Sequence, residues 1–103
     1  MRVSFNSEAL AEAEEATRWY RENGGVAPSL AFTRELKRVV NLAAQQPGMG
    51  SPGMRGTTRL HFKRFPYTLF FRIDGEFVRV IAIARQSRRP GYWAGRRQLI
   101  CVD

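Results

Sequence analysis

At 103 residues, with 44% hydrophobic and 25% charged side chains, the chain has the balance of one soluble domain (residues 1–103) built around one modest core. No apolar run approaches the ~18 residues needed to cross a bilayer. The opening Met1-Arg2-Val3-Ser4-Phe5-Asn6 lacks the apolar stretch of a secretory signal, and a single cysteine, Cys101, excludes an intrachain disulfide, so a cytoplasmic chain without a membrane partner is expected. The net charge of +8 is unevenly placed: residues 1–50 hold six basic and six acidic side chains, residues 51–103 eleven and three. Ten of those eleven are arginine, the side chain suited to planar recognition of phosphate and carboxylate, so the basic half points to an anionic partner.

Val3 and Phe5 alternate with Arg2 and Ser4, which predicts a short strand. Asn6 is placed to cap a helix, with Phe5 and Leu10 as a hydrophobic staple. Leu10, Ala13, Thr17 and Tyr20 then recur at helical spacing until Asn23-Gly24-Gly25 ends the run. Pro28 and Ser29 are suited to opening a second helix, whose stripe is Phe32, Leu36, Val39, Val40 and Ala43 and whose stop is Pro47-Gly48. These two elements make a helical hairpin. The stretch from Pro47 to Gly56 reads as a loop.

Beyond it the period becomes two. Leu60 and Phe62, then Tyr67, Leu69, Phe71 and Ile73, then Val78, Val80 and Ala82 alternate with their neighbours, which predicts three antiparallel strands. Asp74-Gly75 is a strong two-residue hairpin signal. A loop of those two residues pairs Ile73 with Glu76, so that Leu69 faces Val80 and Phe71 faces Val78 on one side of the sheet. Phe70 then faces Arg79, Thr68 faces Ile81, and Arg64 falls beside Arg85. The expected fold is α+β: an N-terminal strand, a helical hairpin and a three-stranded antiparallel meander, with the helices on one sheet face. The other face is expected to carry Arg59, His61, Lys63, Arg72, Arg79 and Arg85, with Phe70, Ile81 and Ile83 among them.

The densest candidate constellation is Arg85-Gln86-Ser87-Arg88-Arg89-Pro90-Gly91-Tyr92-Trp93, followed by Arg96-Arg97. Guanidinium groups beside Tyr and Trp supply phosphate contacts and stacking surfaces, the two ingredients of single-stranded nucleic-acid binding. Trp is also the side chain most used to plug a core end, which is the plainer expectation for Trp93. Arg85, Arg88 and Arg89 repel one another unless an anion lies between them, which favours a binding role. Imidazole is the side chain that exchanges protons near neutral pH, so His61, the only histidine, could act as a general acid or base; its plainer reading is an exposed strand residue. One histidine and one cysteine give no metal site, and neither a phosphate-binding glycine loop nor a pair of carboxylates occurs in the basic half, so no cofactor is expected.

On these residues the chain resembles the RelE/ParE superfamily of toxins from type II toxin–antitoxin systems. The resemblance rests on the order of elements from Val3 to about Arg97 and on Trp19-Tyr20, Phe32 with Glu35-Leu36, and Phe65-Pro66-Tyr67. Its most specific part is Ile81-Ala82-Ile83-Ala84 through Arg88-Arg89-Pro90-Gly91-Tyr92-Trp93. Two activities are implied on one scaffold: RelE-like members cleave mRNA in the ribosomal A site, and ParE-like members poison DNA gyrase. A RelE-like chain would be a metal-independent endoribonuclease with His61, Arg85, Arg88 and Tyr92 as catalytic residues. A ParE-like chain is not an enzyme. Arg59, Lys63, Arg64, Arg72, Arg79, Arg89, Trp93, Arg96 and Arg97 would then bind the target or nucleic acid. Thr68 stands where an arginine is usual in the nucleases, and the Arg-Arg-Pro-Gly-Tyr-Trp ending looks more like ParE-like or plasmid stabilisation proteins. The expected function is therefore growth inhibition through gyrase; a ribosome-dependent nuclease and a non-toxic binding module are the alternatives. All three readings imply a cognate antitoxin, whose acidic, amphipathic tail would complement the basic half.

Overall fold

The structure, a computed structural model, describes residues 1–87 and 92–94. Strand β1 (Arg2–Phe5) leads into helices α1 (Ser7–Gly24) and α2 (Val26–Gln45). Four strands follow: β2 (Ser51–Pro52), β3 (Thr58–His61), β4 (Tyr67–Asp74) and β5 (Phe77–Arg85). The class is α+β, as the periodicities require. Asn6 caps α1, its side-chain oxygen accepting the Ala9 N–H at 2.7 Å. Gly25 ends the helix at φ 93, where a side chain would be strained, and its N–H returns to the Arg21 carbonyl. Helix α2 starts at once at Val26, so Pro28 lies inside its first turn rather than at its first position. Its missing N–H is harmless there, because the first four amides of a helix have no partner within it.

The sheet has the order β1-β5-β4-β3-β2. The expected antiparallel meander forms its centre, but the sheet is mixed: β1 runs parallel beside β5, pairing Arg2 with Phe77 and Phe5 with Val80. The segment expected to be only loop also contributes the short edge strand β2, where Ser51 pairs with Arg59. Gly50 makes that approach possible, since a Cβ there would stand 2.4 Å from the Thr58 methyl.

The expected register of the β4–β5 hairpin is corrected. Asp74 pairs with Phe77, and the two loop residues are Gly75 and Glu76. Gly75 has φ 59 and Glu76 does not have positive φ, the sign pattern of a type II′ turn. Phe71 thus faces Val80, two residues on from the expected partner, which leaves the faces unaltered. Between Phe71 and Phe70 the partner then jumps from Val80 to Ala82, so Ile81 is the extra residue of a β-bulge. Above the bulge Leu69 faces Ile83 and Tyr67 faces Arg85, three residues on from expectation. An odd shift exchanges the faces. Ile83 therefore joins the core beneath the helices, and Arg85 lies on the helix side and not on the outer face. Arg64 is not beside Arg85 but in the turn between β3 and β4.

The core under the helices is built from Phe32, Val39, Leu69, Phe71, Val78 and Val80, all fully buried. Each such side chain stabilises the fold by roughly 1.5–3 kcal/mol relative to exposure. A second, smaller cluster lies on the opposite sheet face, where Ile81, Ala82 and Trp93 pack with Phe70 and Tyr92.

Candidate target-binding surfaces

The bulge at Ile81 builds the first surface. It aims Arg85 at α1, where Glu12, Glu15, Ala16 and Trp19 form one stripe at helical spacing. These residues, with Tyr67, Ile83 and Tyr92, line a small open cleft of about 80 Å³. The Arg85 guanidinium carbon stands 5.3 Å from the centre of the Trp19 ring and 6.0 Å from that of Tyr67. Such a cation–π contact is worth about 0.5–1 kcal/mol at an exposed site and fixes the direction of the guanidinium. Trp19 is 44% exposed and rests edge-on against Tyr20. Burial pushes the Tyr20 and Tyr67 phenols up from their ordinary pKa, and the Arg85 charge pulls both part of the way back.

One carboxylate organises the far wall of the cleft. Glu12 Oε1 accepts the Ile83 N–H at 3.0 Å. Its Oε2 accepts the Tyr92 hydroxyl. Strand β1 ends at Phe5, opposite Val80, so Ile83 lies on the stretch of β5 edge that β1 does not reach. A side chain from α1 therefore partners an edge amide that a longer β1 would have paired.

The outer face holds Arg59, His61, Arg72 and Arg79, as expected, but much of its charge is engaged within the protein. His61 Nδ1 lies 2.8 Å from the hydroxyl of Thr68, a residue only 4% exposed. Arg72 donates to the Arg55 carbonyl through Nε and Nη2, at 3.2 and 3.0 Å, and so ties down the turn before β3. Arg79 donates to Asp74 at 2.8 Å and to the Ser4 hydroxyl at 3.1 Å, and lies over the Phe77 ring. Trp93 is 1% exposed, its ring centre 4.8 Å from that of Phe70. It closes this face as an apolar plug and offers no open stacking surface.

Lys63 is displaced from its expected place on the outer face. Strand β3 ends at His61, and the turn after it lies against α2, where Lys63 and Arg64 border a shallow groove with Ala31, Arg34, Glu35, Arg38 and Phe65. Glu35 accepts the Lys63 N–H at 2.5 Å and two bonds from Arg38, at 2.7 and 2.8 Å. Four cations and one carboxylate therefore line this groove. Arg34 and Arg38 come from the half of the chain whose charges cancel in sequence, which is why charge counting does not reveal this flank.

The constellation assigned to a nuclease is not gathered at one point. Arg85 and Tyr92 share the helix-side cleft, whereas His61 pairs with Thr68, which pairs with Ala84, on the opposite face. Arg88, Arg89, Arg96 and Arg97 lie outside the described residues. Sequence reasoning missed Glu12 and the α2 flank. The helical spacing of Glu12, Ala16 and Trp19 was a usable signal for the cleft, because only one face of α1 is needed for the core. Among the described residues no group of three or more metal-ligating side chains occurs, and no helix is long and apolar enough to cross a membrane.

Comparison with known proteins adds two findings. The family model described as ParE toxin of type II toxin–antitoxin system, parDE, matches residues 3–90. A solved structure described as the chromosomal ParDE TA system from P. aeruginosa shares the fold, with a TM-score of 0.72 at 20% identity, over 82% of this chain and 95% of that one. No curated protein sequence matches the chain.

Proposed function

This chain belongs to the ParE toxin family of type II toxin–antitoxin systems, and on that premise we propose that it arrests growth by poisoning DNA gyrase, binding and trapping the enzyme without chemistry of its own. The observation that carries the choice of target is the split of the nuclease set. Metal-independent cleavage of RNA needs a base at the ribose 2′-OH, a proton donor at the leaving oxygen and cations on the phosphorane, all within hydrogen-bond reach of one phosphate. Here the sheet stands between His61 and the pair Arg85 and Tyr92, and the Tyr92 hydroxyl is bonded to Glu12. Thr68, in the position of the usual arginine, is buried and adds no cation.

The proposed contact surface is the Arg85 cleft with its exposed Trp19, continued by the basic α2 flank of Arg34, Arg38, Lys63 and Arg64. We assign the chain to the cytoplasm, with a cognate antitoxin as its partner. An acidic, amphipathic tail on that antitoxin fits the +8 charge and would speed association. Induction in a host lacking the antitoxin tests the target. Growth arrest with DNA-damage signalling, while translation continues at first, is the expected result. Immediate loss of translation with cuts at codon boundaries would replace this reading with a ribonuclease, and unimpeded growth would leave a binding module.

A further inference from the structure

The Glu12 carboxylate spans three parts of the chain that are far apart in sequence. It stands on α1, accepts the amide of Ile83 on β5, and accepts the hydroxyl of Tyr92 from the segment beyond β5. That segment is held on both sides of the sheet. The Tyr92 hydroxyl reaches Glu12 at the wall of the Arg85 cleft, its ring also packs with the outer cluster, and the next residue, Trp93, is buried in that cluster against Phe70, Ile81 and Ala82. Residues 92–94 therefore straddle the edge of β5 just where β1 has ended. The Tyr92 hydroxyl on Glu12 and the buried Trp93 ring together fix the direction of residues 92–94.

We propose that Glu12 is a positioning residue of the toxin: through Tyr92 and Ile83 it sets residues 92–94 against the Arg85 cleft and so shapes the surface that meets the target. The proposal rests on the toxin reading given above. Two features support it beyond the bonds themselves. Glu12 is half-buried, so its carboxylate works where water competes less for the same donors. It belongs to the stripe that carries Trp19, so the helix that places the Arg85 stacking partner also places the Tyr92 acceptor.

The test uses the full chain with E12A, Y92F and the double variant, and E12Q as the conservative control. Alanine at position 12 keeps the helix propensity of α1. Amide exchange at Ile83 should rise about tenfold in E12A and stay near wild type in Y92F, since only the former removes its acceptor. The inducer level needed for growth arrest should rise at least about tenfold in both single variants, and the double variant should be no worse than the weaker single one. E12Q, which keeps one acceptor oxygen, should recover part of the loss. A purely stabilising role would instead lower the unfolding midpoint in step with toxicity and give losses that multiply. Unchanged Ile83 exchange in E12A, or wild-type toxicity in E12A, overturns the positioning role. If the wild-type chain arrests growth and gyrase is untouched, the proposed target fails and the positioning role is still judged by these variants. A wild-type chain that arrests nothing overturns both.

Discussion

Glu35 accepts three hydrogen bonds at once, two from Arg38 and one from the Lys63 amide, and so joins α2 to the turn after β3. The Arg38 bonds hold its carboxyl below the usual carboxylate range; the Lys63 amide and the charges of both residues add to that, against an opposing effect of burial. A depressed native pKa contributes stability above the unfolded value of about 4.3, lost as pH falls through the native value. Glu35→Gln should therefore lower the unfolding free energy by about 1 kcal/mol at neutral pH, allowing for solvent screening, and the gap should close below about pH 4. Denaturant titrations at the two pH values check it. Arg85 gives a second test at this scale. Its charge pulls the buried Tyr67 phenol down against the larger effect of burial. In Arg85→Ala the Tyr67 phenol should ionise at higher pH, read by ultraviolet absorbance. Because the native phenol is already raised, its contribution to stability is full below about pH 10 and is lost as pH rises through the native value.

At the scale of elements, the bulge decides the site. Were β5 regular, Arg85 and Ile83 would sit on the outer face and the cleft beside α1 would lose Arg85. Deleting Ile81 should remove the bulge while leaving Phe70 opposite Ala82 and Tyr67 opposite Arg85, because both flanking ladders then join in register. The expected cost is the buried Ile81 side chain, about 3 kcal/mol, with the chain still folded. Deleting Val78 instead shifts that ladder by one and should abolish folding; circular dichroism and urea unfolding distinguish the two. Much of this architecture was legible in the residues. Asn6 and Gly25 mark the ends of α1 by local geometry, and Leu69, Phe71, Val78 and Val80 mark the core face by alternation. The bulge was not legible, because Ile81, Ala82, Ile83 and Ala84 are all apolar and an unbroken apolar run carries no phase. The parallel pairing of β1 with β5 was equally hidden, since its contacts join the two ends of the chain and no local signal specifies them.

For the whole molecule, the uneven charge acquires a more definite layout. The outer sheet face spends Arg72 and Arg79 on internal bonds and covers its centre with Trp93, so its basic residues are less available than their number suggests. The helix side holds Arg85 beside exposed Trp19, and the α2 flank holds four cations along one groove. His61 was placed correctly on the outer face, but the sheet separates it from the residues with which it was grouped, a relation that only the register reveals. On the proposed function this surface traps gyrase. Its most direct test is purified protein added to gyrase and plasmid DNA at micromolar concentration, followed by detergent release of any cleaved complex. Accumulation of linear DNA with loss of supercoiling, weakened in Arg85→Ala, is the predicted result; unchanged supercoiling and no cleaved DNA would contradict it.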